Sequence, residues 1–299
     1  MRLKSTVAFL MLMSFFSIKA QKPIICLEDS LKIGNGLLPS ISVLIPEVPY
    51  EKTLNAWVKT LQSGTKSKVV TENGEMTIFG AILKEITESP MNAYSKLLDR
   101  DSALFLAVSF ELKKDQYIER TTGEAELTRA RAFLFNFAKE QYIGLIEEQV
   151  KAEEKKLKDL EKELGSLEKD ESGMEKSIRN NDKTITTEKD KLITLNNELV
   201  SLSAAIEEHR KYLAGMQPGT EKDEKAAYLK DLDKQKKQKM KAISKAENRI
   251  SKSERTIDKA KADIPKTGKM QEKFKVQIDA QDAVVQKFVE KLNTVKAYR

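Results

Sequence analysis

One histidine (His209), one cysteine (Cys26) and one tryptophan (Trp57) stand in a chain of 299 residues. With His209 and Cys26 far apart, the chain lacks the residues for zinc sites of the His/Cys kind and for Cys–His nucleophilic catalysis. A lone thiol forms no internal disulfide, so no covalent staple holds the fold. Glycine (12) and proline (7) are scarce, and aromatics are 6% of residues. That profile disfavours two ordinary packed cores and suits long helices. No phosphate loop is present: "KIGNGLL" (Lys32–Leu38) has glycines but lacks the Lys-Ser/Thr and the following helix. No spacing singles out a carboxylate pair for acid–base work. These absences predict no catalytic residue, no cofactor and no metal, and a protein that is not an enzyme.

Long apolar runs are equally few. The first residues, "MRLKSTVAFLMLMSFFSIKAQK", carry a positive start (Arg2, Lys4), then an apolar stretch over Val7–Ile18 and a small residue at Ala20. This predicts a cleaved signal peptide over 1–20 and an exported protein, periplasmic or secreted. The stretch is short of the about 20 residues a membrane helix needs, and no later segment reaches that length, so no transmembrane segment is expected after signal removal. "KPII" before Cys26 lacks the small residue of a lipidation site. The thiol is therefore expected as a small, buried apolar group.

What the chain does have falls into two parts. Over 21–142 the patterns are short and mixed. "PSISVLIPEVP" (Pro39–Pro49) reads as a strand near an edge. Leu54, Trp57, Val58 and Leu61 at i, i+3, i+4, i+7 give one apolar helix face, stopped by Gly64. Asn73-Gly74 between two β-rich runs is a hairpin turn. Asn92–Leu98 is a further strand. "ALFLAVSFEL" alternates Leu104, Leu106, Val108, Phe110 and Leu112 on a buried face, with Phe105, Ala107, Ser109 and Glu111 on a partly wet one. A helix from about Glu124, apolar through Phe133, Leu134, Phe135, Phe137, Tyr142 and Ile143, covers the sheet. The expectation is an α+β head with an antiparallel sheet in β-α-β4-α, TBP-like order, a topological likeness with no implication for DNA.

From Ile143 a strict 3-4 spacing runs to Met216 without a slip. Of its 22 core positions 17 are apolar; the others are Glu153, Glu171, Asn181, Glu188 and His209. A second track, from Leu229 to Val295, is constant but out of phase with the first. The single phase change falls at Pro218-Gly219, which predicts a chain that folds back into an antiparallel coiled-coil hairpin over 143–299. Charge agrees. Glu147–Met216 holds 13 basic and 17 acidic residues, Glu221–Arg299 holds 22 and 13, and opposite signs suit paired helices. The tip is placed at Gly215, Pro218, Gly219 and Thr220, with Thr220 as N-cap. Folding there makes partner numbers total roughly 437, sets Gly173 level with Pro265, and predicts a hinge about 65–70 Å below the tip of an arm about 110 Å long.

The lysine-rich run "DKQKKQKMKAISK" (Asp233–Lys245) is the exception to this internal balance. Lys234, Lys236, Lys237, Lys239 and Lys241 are candidates for contact with an anionic surface, and Lys236 and Lys239 fall on core positions near Glu198. The run lacks the interleaved aromatics of a base-stacking site, so no nucleic acid is expected. His209 is expected as a polar core residue that helps to fix register.

The "SIKAQ" end of the leader resembles Bacteroidota export signals, in which Gln often follows the cut. The order "IPEVPYEKTLNAWVK … KEITESPMNAYSKL … ALFLAVSFEL" followed by a charged coiled coil is similar to secreted proteins of that phylum with a small α+β head and a long hairpin. The resemblance implies export and layout, not an activity. Three expectations follow: an exported interaction or scaffold protein whose arm spaces or clasps a protein partner in the cell envelope, a periplasmic holdase of the prefoldin-like type, and an efflux-adaptor-like hairpin protein. A homo-oligomer is compatible with each. The last two classes usually carry β structure on both sides of the hairpin; here all strands precede it.

Overall fold

The computed structural model describes residues 23–34, 36–100 and 103–299; the leader expected over 1–20 lies outside them. The chain is α+β. Among the described residues, seven strands and a short helix precede two very long helices: β1 (Cys26–Ile33), β2 (Gly36–Pro46), α1 (Tyr50–Leu61), β3 (Val70–Glu72), β4 (Glu75–Ala81), β5 (Met91–Arg100), β6 (Ala103–Lys113), β7 (Gln116–Tyr117), α2 (Glu124–Ala214) and α3 (Thr220–Lys296). Two compact units result. One comprises the chain up to Lys155 together with Asp282–Arg299; the other is Lys156–Gln281. The first unit thus takes in residues beyond the 21–142 expected of the head, because the start of α2's heptad pattern and the end of α3 pack with it.

In the first unit the sheet is antiparallel throughout, in the order β1-β2-β6-β5-β4-β3, with β7 on β6. Residues 36–113 follow the expected strand–helix–four-strand succession, and β1 and β7 are additions to it. The turn between β3 and β4 has Asn73 at φ 51° and Gly74 at φ 77°, the left-handed pair that a two-residue hairpin demands. One face of the sheet presents Ile41, Val43, Ile78, Leu106, Val108 and Phe110 to α1 and the first turns of α2, where Trp57, Leu61, Leu134 and Tyr142 are fully enclosed. The last turns of α3 complete this core through Val295, with Phe288 and Leu292 at its margin.

The other face departs from expectation. Ala107, Ser109 and Glu111 are buried, not partly wet. The β1–β2 hairpin lies against Ala107, and Asn92, Tyr94 and the turn at Asp115 surround Glu111. β2 pairs with β6 only over Ile41–Pro46, while β7 takes β6's edge at Glu111 and Lys113. The hairpin end therefore peels away and bends across the sheet. The Gly34 N–H there donates to Glu75 Oε2 on β4 at 3.2 Å. Of "KIGNGLL", unfit for phosphate, Lys32–Ile33 end β1 and Gly36–Leu38 begin β2.

In the second unit α2 and α3 lie antiparallel. Its buried residues, among them Glu188, Leu195 and Ile206 on α2 and Leu232, Ala246, Ile257 and Gln271 on α3, all fall on the two 3-4 tracks. Three side-chain pairs between the arms, Glu188–Arg249, Glu198–Lys239 and His209–Tyr228, have residue numbers that each total 437. A second set, Arg210–Asp233 and Glu171–Gln271, totals 443 and 442 and marks the opposite flank of the seam. A parallel pairing would keep the difference constant instead of the total.

Candidate functional site

The tip forms where α2 ends at Ala214 and α3 begins at Thr220. Gly215 N–H donates to Tyr212 O at 3.2 Å and Met216 N–H to Leu213 O at 3.3 Å, tightening the last turn. Lys222 Nζ reaches Met216 O at 2.9 Å and neutralises a carbonyl at the negative end of α2. Asp223 N–H donates to Gly219 O at 3.1 Å. The cap therefore sits at Gly219, and Thr220 is the first helical residue, so the helix starts one place earlier than the sequence suggested. Tyr212 and Tyr228 are exposed beside the tip, and the His209 ring lies edge-on to Tyr228 at 4.9 Å. His209 is half-buried, with an aromatic neighbour from the other arm.

Gly173 and Pro265 both lie inside uninterrupted helices, and Pro265 does not end α3. Its ring removes one donor from an exposed turn, where water can serve the orphaned carbonyl. The Glu171–Gln271 hydrogen bond, 2.6 Å, keeps the arms in register beside this level.

The lysine run divides by direction. Lys236 and Lys239 are half-buried on the seam, and Lys239 Nζ lies 2.5 Å from Glu198 Oε2. Lys234, Lys237 and Lys241 are exposed and point away from the other arm. Among the described residues, Lys239 alone of the five has a carboxylate within salt-bridge distance.

The arms are joined by a buried carboxylate that pattern reading assigned only to the core track. Glu188 accepts from Arg249 Nη1 at 2.7 Å, and this hydrogen bond, helped by Lys191, holds its pKa below the usual carboxylate range. A depressed folded-state pKa contributes stability above the unfolded value of about 4.3, which is lost as pH falls through the folded value. Wild-type helix unfolding should therefore lose thermal stability on acidification more steeply than that of Glu188→Gln. Circular dichroism melts between neutral pH and pH ~3 compare the two, and parallel curves would remove the role.

In the first unit, a polar network crosses the bent face. Glu111 accepts from Asn92 Nδ2 at 2.7 Å, Tyr94 OH at 3.0 Å and Asp115 N–H at 3.0 Å. Burial alone would raise its pKa; the three donors outweigh that and hold it low. Burial and Glu111 together push Tyr94 up to about 12. Three donors converge on this one carboxylate, which reads as structural. Next to it, a trough of about 240 Å³ lies between the bent hairpin (Asp29, Leu31) and β5–β6 (Lys96, Phe105). Ser42 Oγ and Asp29 Oδ2 meet there at 3.5 Å.

One further group, the Lys291–Glu47 pair, went unread in sequence. Lys291 on α3 is buried; its Nζ sits 2.7 Å from Glu47 Oε2 and 5.3 Å over the Tyr142 ring. Glu47 has φ +60°, a left-handed conformation unusual for a side-chain-bearing residue. Burial and the Glu47 charge both raise the Tyr142 phenol. Cys26 is half-buried and its Sγ–H faces Arg131 O at 3.7 Å. Burial, partly offset by Arg131, pushes the thiol up to about 11, which makes it a poor nucleophile at neutral pH.

Among the described residues, no group of three or more His, Cys, Asp and Glu side chains is placed to hold a metal ion, and no helix is long and apolar enough to cross a membrane. No protein-family model and no curated protein matches this sequence.

Proposed function

We propose that this is a non-enzymatic, exported interaction or scaffold protein whose helical arm spaces or clasps a protein partner in the cell envelope. The observation that carries the reading is the antiparallel pairing of α2 and α3, with a constant total at Glu188–Arg249, Glu198–Lys239 and His209–Tyr228. Such pairing fixes where each arm residue stands along the hairpin, which a spacer requires and a catalyst does not. The leader supports export, and the exposed tyrosines beside the tip supply rigid aromatic surface of the kind that anchors interfaces.

Photo-crosslinking in intact cells tests this. A crosslinking residue at Tyr212 or Tyr228, and separately at exposed Phe79 on the head, should give one defined protein adduct from one of the two regions. Excision of matched heptads from both arms should abolish the adduct without unfolding the head. An adduct unaffected by that excision, or a chain retained in the cytoplasm with its leader intact, would sink the proposal. Suppression of aggregation by many unrelated unfolded proteins, with no defined adduct, would establish the holdase reading in its place.

A further inference from the structure

We propose that one flank of the arm, built on Lys230, Lys234, Lys237 and Lys241 with Met240 and Val200, docks on an anionic lipid surface. The proposal rests on the reading that the arm makes contacts in the envelope, and adds what it touches.

Residues 234–245 contain six lysines and no carboxylate. Lys230, Lys234, Lys237 and Lys241 follow one another at steps of four, three and four, so they share one face of α3. That face is opposite Lys236 and Lys239, which turn to the other arm. All four are exposed, and among the described residues none has a carboxylate within salt-bridge distance. Like charges at this spacing repel along a helix. They are tolerated where water or an external anion screens them. At ~1.5 Å per residue the row is about 16 Å long.

Beside this row is apolar surface that the coiled coil does not use. Met240 is 53% exposed and Val200 70% exposed. Arg210–Asp233 marks the flank on which paired numbers total 443. On that flank Met240 stands level with Ser203, and Val200 is one turn before Ser203. Ile193, 62% exposed, continues the line one heptad further. Asp233 is the carboxylate of α3 nearest this patch, and Arg210 engages it at 3.2 Å. Asp231, next to Lys230, accepts from Gln235 Nε2 at 2.8 Å; beyond Met240 the first carboxylate on α3 is Glu247, two turns away.

A row of unpaired ammonium groups beside exposed aliphatic side chains matches phosphate headgroups beside acyl chains. A linear polyanion would use the lysines but leave Met240, Val200 and Ile193 in water. The patch also lacks aromatic rings on which bases could stack.

The test is sedimentation of the full mature chain with vesicles. Binding to phosphatidylglycerol–phosphatidylcholine vesicles is expected, with none to phosphatidylcholine alone, and it should weaken with salt. The variant Lys234→Gln/Lys237→Gln/Lys241→Gln should bind on the order of a hundredfold more weakly. Val200→Asp/Met240→Asp should lose about tenfold or more. All five positions are exposed, so unchanged circular dichroism melts are expected and verify folding. If a DNA duplex binds as tightly as the vesicles and the Val200→Asp/Met240→Asp variant binds vesicles normally, the site is a general polyanion site and the lipid assignment falls. If anionic vesicles do not bind at all, the assignment also falls, while the protein partner is decided separately by the crosslinking above.

Discussion

Replacing Trp57 by alanine is expected to cost the head about 3–5 kcal/mol, a third or more of what a domain of this kind commonly has. Trp57 is fully buried between the sheet and α2, with its ring 5.1 Å from Phe137 and 6.2 Å from Phe133. Its Nε1–H donates to Ser95 Oγ at 2.9 Å, and Ser95 is itself fully buried on β5. The truncation leaves a cavity that rigid neighbours on three elements cannot fill, and Ser95 loses its donor. Trp57→Phe separates the two effects. It keeps most of the packing and should forfeit about 1 kcal/mol for the hydrogen bond plus the volume difference. As the single tryptophan, Trp57 reports wild-type head unfolding by fluorescence. Hydrogen exchange follows the variants, with loss of protection expected across β4–β6. An alanine variant as resistant to urea as wild type would show that α1 is not part of the core.

Loss of Lys291 should release the end of α3 from the head. Removing one partner of a buried ion pair costs roughly 3–5 kcal/mol when the other stays buried. Glu47 keeps 28% of its side chain exposed, which places Lys291→Ala near the lower end, about 3 kcal/mol. The Tyr142 ring loses its cation at the same time, and the left-handed backbone at Glu47 loses the contact that accompanies it. Exchange should rise first over 282–296, ahead of the sheet. Lys291→Met combined with Glu47→Gln should recover much of the loss, because it removes both charges and keeps the apolar stem against Tyr142. A double variant as damaged as the single would assign the effect to packing instead of charge.

These two sites differ in how far they could be read beforehand. Trp57 lies on an i, i+3, i+4, i+7 face that local periodicity exposes. Lys291 and Glu47 are 244 residues apart, and nothing near either one signals the other. β1 was missed for a related reason. "CLEDSLKI" carries charge at Glu28, Asp29 and Lys32 and buries only Leu31, so no clear alternation announces it. It is a strand because β2 pairs with it along all eight residues. The burial of Ala107 depends in turn on that hairpin bending over the sheet.

The sequence by itself determined the hairpin, its direction and its register, since heptad phase, a single Pro-Gly and segregated charge are local signals that accumulate over long helices. It also determined the Asn73-Gly74 turn, where two left-handed residues leave little choice. Tertiary structure alone decided the bent sheet, the return of Val295 into the head's core, and the enclosure of Lys291 over Tyr142. Those features arise from contacts between residues distant in the chain, for which the sequence has no periodicity to display. The same division holds for the lysine run. Its charge, and the place of Lys236 and Lys239 on core positions, are visible in sequence, but only the pairing of α2 with α3 brings Met240 of one arm beside Val200 of the other.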